Sequence, residues 1–445
     1  MSITRRTILS TGLAAGATLV GARLAQAQGQ PAAPPAPAPP PSAEPPRALT
    51  SGRAVAGARY TPVVVPNGAT LPFELKDGVK VFHLVAEPIV HQVAPGLEIE
   101  AWGYNGRTPG PLIEAVEGDR VRIYVTNKLP EATTTHWHGI FLPAGMDGVA
   151  GLTQRAIPPG KTFKYELTLG KPGTFMYHPH FDEMTQIALG MVGMIVVHPK
   201  KPPAEKRRVR DYSLMAHEWK IPNGARRPDP LAMSDFNQLV FNGAAFPATE
   251  PLVAEVGDLV RIRIGNLGPM DHHPIHLHGY AFEVVYTDGG PVPKAARWPE
   301  TTVLVPVGSV RVVEFVADAP GDWAMHCHMT HHVMNQMGHD APNLIGADTR
   351  GLDAKIGRLV PGYMTMGASG MGEMSEMKMD QPRNSISMVG GPGPFGAIDM
   401  GGMFTLLKVR EKLEEGVDPG WYQHPAGTVA EEASADDLAR DGIAG

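Results

Sequence analysis

Two stretches of this chain repeat one another, and the repeat limits the possible folds more than any other feature. Asn105-Gly106 precedes Val116-Glu-Gly-Asp-Arg-Val-Arg-Ile123, which leads to His136-Trp-His-Gly139. Asn242-Gly243 precedes Glu255-Val-Gly-Asp-Leu-Val-Arg-Ile262, which leads to His276-Leu-His-Gly279. Each half then passes Pro172-Gly173-Thr-Phe175 or Pro320-Gly321-Asp-Trp323 and reaches a second His-x-His, at 178/180 and at 326/328. Self-similarity of this kind marks a duplicated unit. Inside each copy Val121, Ile123 and Val125 alternate with Arg122, Tyr124 and Thr126, and Val260, Ile262 and Ile264 alternate with Arg261 and Arg263. A period of two is that of a half-buried strand. Turn residues recur at short intervals and long helical periodicity is scarce, which predicts an all-β chain. Two copies of one sandwich domain are the economical reading, at residues 59–200 and 210–410. A polar, solvated link near residues 199–212 joins them.

The ends differ from this pattern. Thr4-Arg5-Arg6-Thr7-Ile8-Leu9-Ser10 opens a short apolar run that closes on Ala25-Gln26-Ala27. This is the layout of a twin-arginine signal over residues 1–27, and it predicts export to the periplasm. The run is too short to persist as a stable membrane span. Residues 28–58 form a Pro/Ala-rich spacer. Net charge is −6, and removing the three arginines of the first 27 residues leaves about −9. That balance argues against nucleic acid as a partner. With 445 residues, 43% of them hydrophobic, the chain can bury substantial cores. The tail at 411–445 is polar, and its Gly-Trp-Tyr-Gln-His-Pro-Ala-Gly patch has no assignment from sequence.

One cysteine excludes an internal disulfide, so Cys327 needs another reason to exist. It stands in His326-Cys-His328, with His332 and Met337 downstream. Thiolate, imidazole and thioether around one ion suit copper, and two histidines, a cysteine and a weak axial methionine make a blue-copper site. In a strand the histidines on either side of the cysteine face away from it. The segment can therefore join two metal sites. Four clusters carry the histidines: His136-x-His138, His178-x-His180, His273-x-x-His276-x-His278, and His326-Cys327-His328 with His332. Each His-x-His can present two imidazoles on one strand face.

Together these four motifs resemble the signatures of the multicopper oxidases. The resemblance covers roughly residues 80–340 and the closing strand. It implies two cupredoxin-like Greek-key β-sandwich domains and four coppers. His273, Cys327 and His332, with Met337 axial, correspond to the type 1 ligands. His136 and His276 correspond to type 2. His138, His178, His180, His278, His326 and His328 correspond to the type 3 pair. Electrons from a small reductant would reach the trinuclear cluster through Cys327, and dioxygen would be reduced to water. Asp147 matches the family's aspartate beside type 2 copper. A second proton relay has no clear match, since Val333 stands where some relatives carry glutamate; Asp182 or Glu183 are substitutes.

The repeat adds a direction. Pro179 stands where Cys327 stands in the second copy, and Thr133 where His273 stands. The first domain therefore lacks a blue-copper site, unlike the copper nitrite reductases. The chain looks like a two-domain laccase, and that group is similar to a homotrimer with each trinuclear cluster shared between chains. An insertion at about 345–398 carries Met364, Met366, Met371, Met374, Met377, Met379 and Met388. Bacterial cuprous oxidases resemble this, and thioethers favour Cu(I). The donor is thus open between phenols or similar aromatics and Cu(I). A non-catalytic copper-binding protein is the alternative in another class, and nitrite reduction a third.

Overall fold

The alternation near residue 121 becomes the strand Arg120–Asn127, and that near residue 262 becomes Leu259–Asn266. In the computed structural model the residues described are 47–49, 60–222, 224–336, 351–360 and 383–443. Met337, the six methionines from Met364 to Met379, the signal and most of the spacer lie outside them.

The repeat is matched strand for strand. In the first copy one sheet runs Ile113–Val116, Gly193–His198, Gly173–His178, His136–His138. In the second the order is Leu252–Glu255, Phe404–Arg410, Gly321–Cys327, His273–Leu277, with Thr302–Val305 added at the edge. The first two strands of each sheet are parallel and the rest antiparallel. A parallel pair cannot be joined by a tight turn, so the chain crosses to the other sheet between them. The opposing sheets are built on Val79–Ala94, Arg120–Asn127 and Thr162–Thr168 in one copy. In the other they are Val209–Trp219, Leu259–Asn266 and Ser309–Val316. Phe82, Leu84, Ile123 and Val125 meet Trp137, Phe175 and Ile195 in one core. Leu214, Ile262 and Val313 meet Ile275, Cys327 and Leu407 in the other.

Two strands are buried on both faces and join the sandwiches. Gly193–His198 is buried throughout. Its Ile195 and Val197 enter the first core, while Met194 and Val196 face Met215, Leu267, Val310 and Val312. Such a strand reads as an unbroken apolar run, as Met-Ile-Val-Val does here. Val209–Trp219 does the same from the other side. Its Asp211, fully buried, is held by Arg261 and Arg263, and Arg263 also donates to Thr174 of the first copy at 2.7 Å. Arg263 alternates as a surface residue in sequence, yet it is buried at this junction.

The unassigned tail patch is a latch. Trp421 packs on Phe246, Phe404 and Leu406 under the Lys408 ammonium, which pairs with Asp418 at 2.6 Å. Tyr422 lies beneath Arg410, and Val417–Asp418 pairs with Arg47–Ala48. Part of the long insertion also docks on the first copy. Asn384 bonds both backbone groups of Glu98, and Ile386 is buried beside Ile99 and Trp219. Among the described residues no helix is long and apolar enough to cross a membrane.

Candidate metal centre

Strand register sorts the ligand-type residues. Ile275 lies opposite Cys327, and His276 lies opposite His326. Successive side chains point to opposite faces. The core face therefore carries His273, Ile275 and Cys327, and the outer face carries His276 and His326. His332 arrives from the short turn Thr330–Val333. The closing strand pins both ends of this loop, since Met403 accepts from the Cys327 N–H and donates to the His332 carbonyl. Gly402 permits that approach. Its φ is +56°, and a Cβ there would stand 2.4 Å from the His332 oxygen.

Cys327 Sγ lies 3.7 Å from His273 Nδ1 and 3.5 Å from His332 Nδ1, and the two nitrogens are 3.3 Å apart. All three residues are buried. An atom equidistant from the three would sit about 2.0 Å from each, close to metal–nitrogen and metal–sulfur bond lengths of about 2.0–2.3 Å. The set thus fits one copper ion. Burial pulls both rings toward neutrality. His332 falls to about 4, through burial and then His273. At His273 burial is outweighed by Cys327 and Glu218, and the ring rises to about 9. A metal ion would take the place of that proton between two acidic groups. The outer nitrogens meet carboxylates, Glu218 Oε2 at 3.2 Å from His273 Nε2 and Asp271 Oδ2 at 3.5 Å from His332 Nε2. Such partners fix which ring nitrogen faces the metal.

The other eight histidines form two groups of four. In the first, His136 and His178 lie opposite on paired strands, and the ring centroids of His136, His138, His178 and His180 stand 5.3–6.3 Å apart. In the second, His276, His278, His326 and His328 stand 4.8–5.7 Å apart. The repeat extends to the ring contacts, though His138 and His278 present different nitrogens. His138 Nδ1 is 3.2 Å from His178 Nε2, and His278 Nε2 is 3.2 Å from His326 Nε2. His178 Nδ1 donates to the Pro179 carbonyl at 2.8 Å, and His326 Nδ1 to the Cys327 carbonyl at 2.9 Å. His136 and His276 likewise spend Nδ1 on the carbonyls of Asp147 and Thr301. Nε2 of these four rings is left for a metal. Burial drives His178 down to about 3, so it is a neutral imidazole at any physiological pH.

Among the described residues no ring contact joins the two groups of four. Ring contacts of the first group run only among its own members, and those of the second among its own members and Phe404. His278 and His328 are exposed. Exposed apolar residues lie near both groups in sequence: Phe141, Leu152 and Met184 near the first, Leu304 and Met329 near the second.

The remaining candidates are placed as follows. Asp147 Oδ1 is 3.4 Å from His136 Nδ1, and its side chain is 32% exposed. Glu183 reaches both His178 at 3.4 Å and His180 at 3.7 Å, whereas the Asp182 carboxylate accepts from Thr185. His331 is exposed. In the first copy Thr133 Oγ1 donates to Gln186 Oε1 at 2.6 Å, and Pro179 takes the cysteine's place. Sequence reasoning missed Glu218, Asp271, Gln186 and Asn335. Asn335 ties the His332 loop to Phe246, Ser387 and Gly402. A glutamate inside Leu214-Met-Ala-His-Glu-Trp219 was the one available signal, because a carboxylate in a doubly buried strand needs a partner.

The chain is similar to known proteins. Models of the family described as multicopper oxidase match residues 88–202 and 222–344, together just over half of the chain. A copper-containing nitrite reductase of Neisseria meningitidis is 30% identical over 253 residues, 54% of this chain and 63% of that protein. The match thus spans less than two thirds of that relative. The blue copper oxidase of Nitrosomonas europaea superposes with a TM-score of 0.55 at 27% identity, over 74% of this chain and 85% of that one. The multicopper oxidase mgLAC gives a TM-score of 0.53 at 34% identity, over 58% and 82%.

Proposed function

This chain belongs to the multicopper oxidase family, and from that premise we propose that it is a laccase-like oxidase of small reductants, with dioxygen as electron acceptor. The observation that carries this is a buried His273–Cys327–His332 triangle whose cysteine is covalently joined to two members of an oxygen-site histidine set. Bound copper would supply one-electron oxidation of the donor at the triangle and four-electron reduction of dioxygen to water at the histidine set.

The residues have separate tasks. His332, closest of the triangle to the surface, receives the donor's electron. His326 and His328, bonded directly to Cys327, give that electron a path a few covalent bonds long. Met337, outside the described residues, would supply a further ligand to bound copper. Asp147 passes protons from solvent toward His136, since its carboxylate is both partly exposed and within reach of that ring. Glu183, spanning His178 and His180, serves as the second relay. The domains run over 59–200 and 210–410, and residues 1–27 direct export to the periplasm. The donor is a phenol or similar aromatic, or Cu(I).

Two copies of the chain complete each oxygen site. The exposed imidazoles of His278 and His328 support a heterologous contact, which closes into a ring where its rotation allows. A trimer is the ring proposed.

Nitrite reduction is the second reading, because the relative from Neisseria is named for it. By the resemblance drawn above, nitrite reductases carry the cysteine in the first copy, where this chain has Pro179. One experiment separates these readings and the non-catalytic one. The copper-loaded protein should bind about four coppers per chain, show a blue absorption band and consume oxygen with a phenol or Cu(I). Asp147→Asn should slow oxygen uptake roughly 10–100-fold and keep the blue band. Full copper with no oxygen uptake rejects the oxidase, and nitrite consumption in its place supports the reductase.

A further inference from the structure

Glu218 is the most enclosed carboxylate near the His273–Cys327–His332 triangle. It sits on Val209–Trp219, with its side chain fully buried. Its Oε1 accepts the backbone N–H of Met270 at 2.9 Å and of Asp271 at 2.9 Å. Its Oε2 lies 3.2 Å from His273 Nε2. Each of these three partners is a donor, so the cage is built for an acceptor-only, ionised group. Room for it comes from Gly268, where a Cβ would stand 1.8 Å from Oε2. The chain therefore spends a glycine and two backbone donors on holding one buried anion against a single histidine.

We propose that Glu218 is a positioning residue that orients His273 through Nε2 and sets the reduction potential of the bound type 1 copper through its fixed negative charge. This rests on the reading of His273, Cys327 and His332 as that copper's ligands.

The argument follows from charge balance. A divalent ion with the Cys327 thiolate and the Glu218 carboxylate makes a neutral buried set. Gaining one electron leaves a net negative charge in the same low-dielectric volume. A buried net charge is disfavoured, and fixed groups interact strongly where water is excluded. Glu218 therefore holds the copper toward its oxidised state. Asp271, the carboxylate on His332, is 29% exposed and 3.5 Å away, so solvent screens it. The two ligand histidines thus meet unequal partners: His273 a fully buried carboxylate, and His332 a partly exposed one.

The test uses copper-loaded, full-length protein and a redox titration read from the blue band. Glu218→Gln keeps the shape and removes the charge. At a fixed poise its Cu(I)/Cu(II) ratio should rise by about tenfold or more, about 59 mV for a one-electron couple. Asp271→Asn should shift the ratio less, and Glu218→Asp should return it toward wild type. A Glu218→Gln protein with a normal blue band and an unchanged ratio overturns the proposal. Absence of a blue band in the wild type instead overturns the ligand reading beneath it. Should Glu218→Gln not fold, proton NMR of the wild-type Cu(I) form decides. A downfield, exchange-protected proton on His273 Nε2 supports the contact, and its absence overturns it.

Discussion

Cys327→Ser should abolish oxygen consumption while leaving most of the copper in place. Serine is smaller and keeps a polar atom at the same position, so the strand Gly321–Cys327 and its pairing with His273–Leu277 should persist. What disappears is the soft, charged ligand that a copper thiolate site requires. Two consequences follow. The blue band, which belongs to the thiolate, vanishes. The covalent path from the triangle to His326 and His328 loses the only sulfur in it. Removing an outer partner of a metal site costs roughly 10–100-fold, so losing this ligand should cost more than about a hundredfold in turnover. Copper analysis and absorption spectra, read beside oxygen uptake, check this. A serine variant that still consumes oxygen at a tenth of the wild-type rate, or about that, would remove Cys327 from the electron path.

Two inactive variants should restore one another. One carries His178→Ala with His180→Ala, which disables the first histidine group. The other carries His276→Ala with His278→Ala, which disables the second. If each oxygen site joins the first group of one chain to the second group of the next, a mixed ring contains sites with both halves intact. In an equal, random mixture half of the first groups and half of the second groups are good, so roughly one quarter of the sites should work. Coexpression followed by an oxygen assay measures this directly. A site completed within one chain predicts no recovery at all, because every chain in the mixture is defective. The effect is therefore between background and roughly a quarter of full activity, a gap too wide for a shift in stability to imitate.

Most of the frame was legible in the sequence because strands announce themselves by period and metal ligands by residue type. Arg120–Asn127 and Leu259–Asn266 form where the alternation lies. His136–His138 forms a strand as the pattern suggests, whereas His180, His278 and His328 lie just past the ends of their strands. What was not legible depends on which distant strand lies alongside. Glu218 is 55 residues before His273 and meets it only through sheet packing. Gln186 finds Thr133 across 53 residues, and Trp421 finds its apolar seat only once Phe246 and Phe404 are folded together. The division of eight histidines into two open groups was implied by resemblance alone. No periodicity reports whether two duplicated surfaces face each other or face away.

The Thr133–Gln186 hydrogen bond has a consequence for how such a molecule diverges after duplication. The chamber that holds the His273–Cys327–His332 triangle in the second copy is closed in the first by a neutral hydroxyl and a neutral amide. Both are buried, and Gln186 also donates to the Ala132 carbonyl at 2.9 Å. Erasing a metal chamber this way leaves no stranded polar group, so the loss carries little penalty in folding. It also breaks the symmetry of the pair. Under the proposed function charge would enter by one lobe only, and the twin lobe would be a pure receiver. A duplicated fold would in this way gain polarity, like a conductor with a single contact, from the replacement of a few side chains.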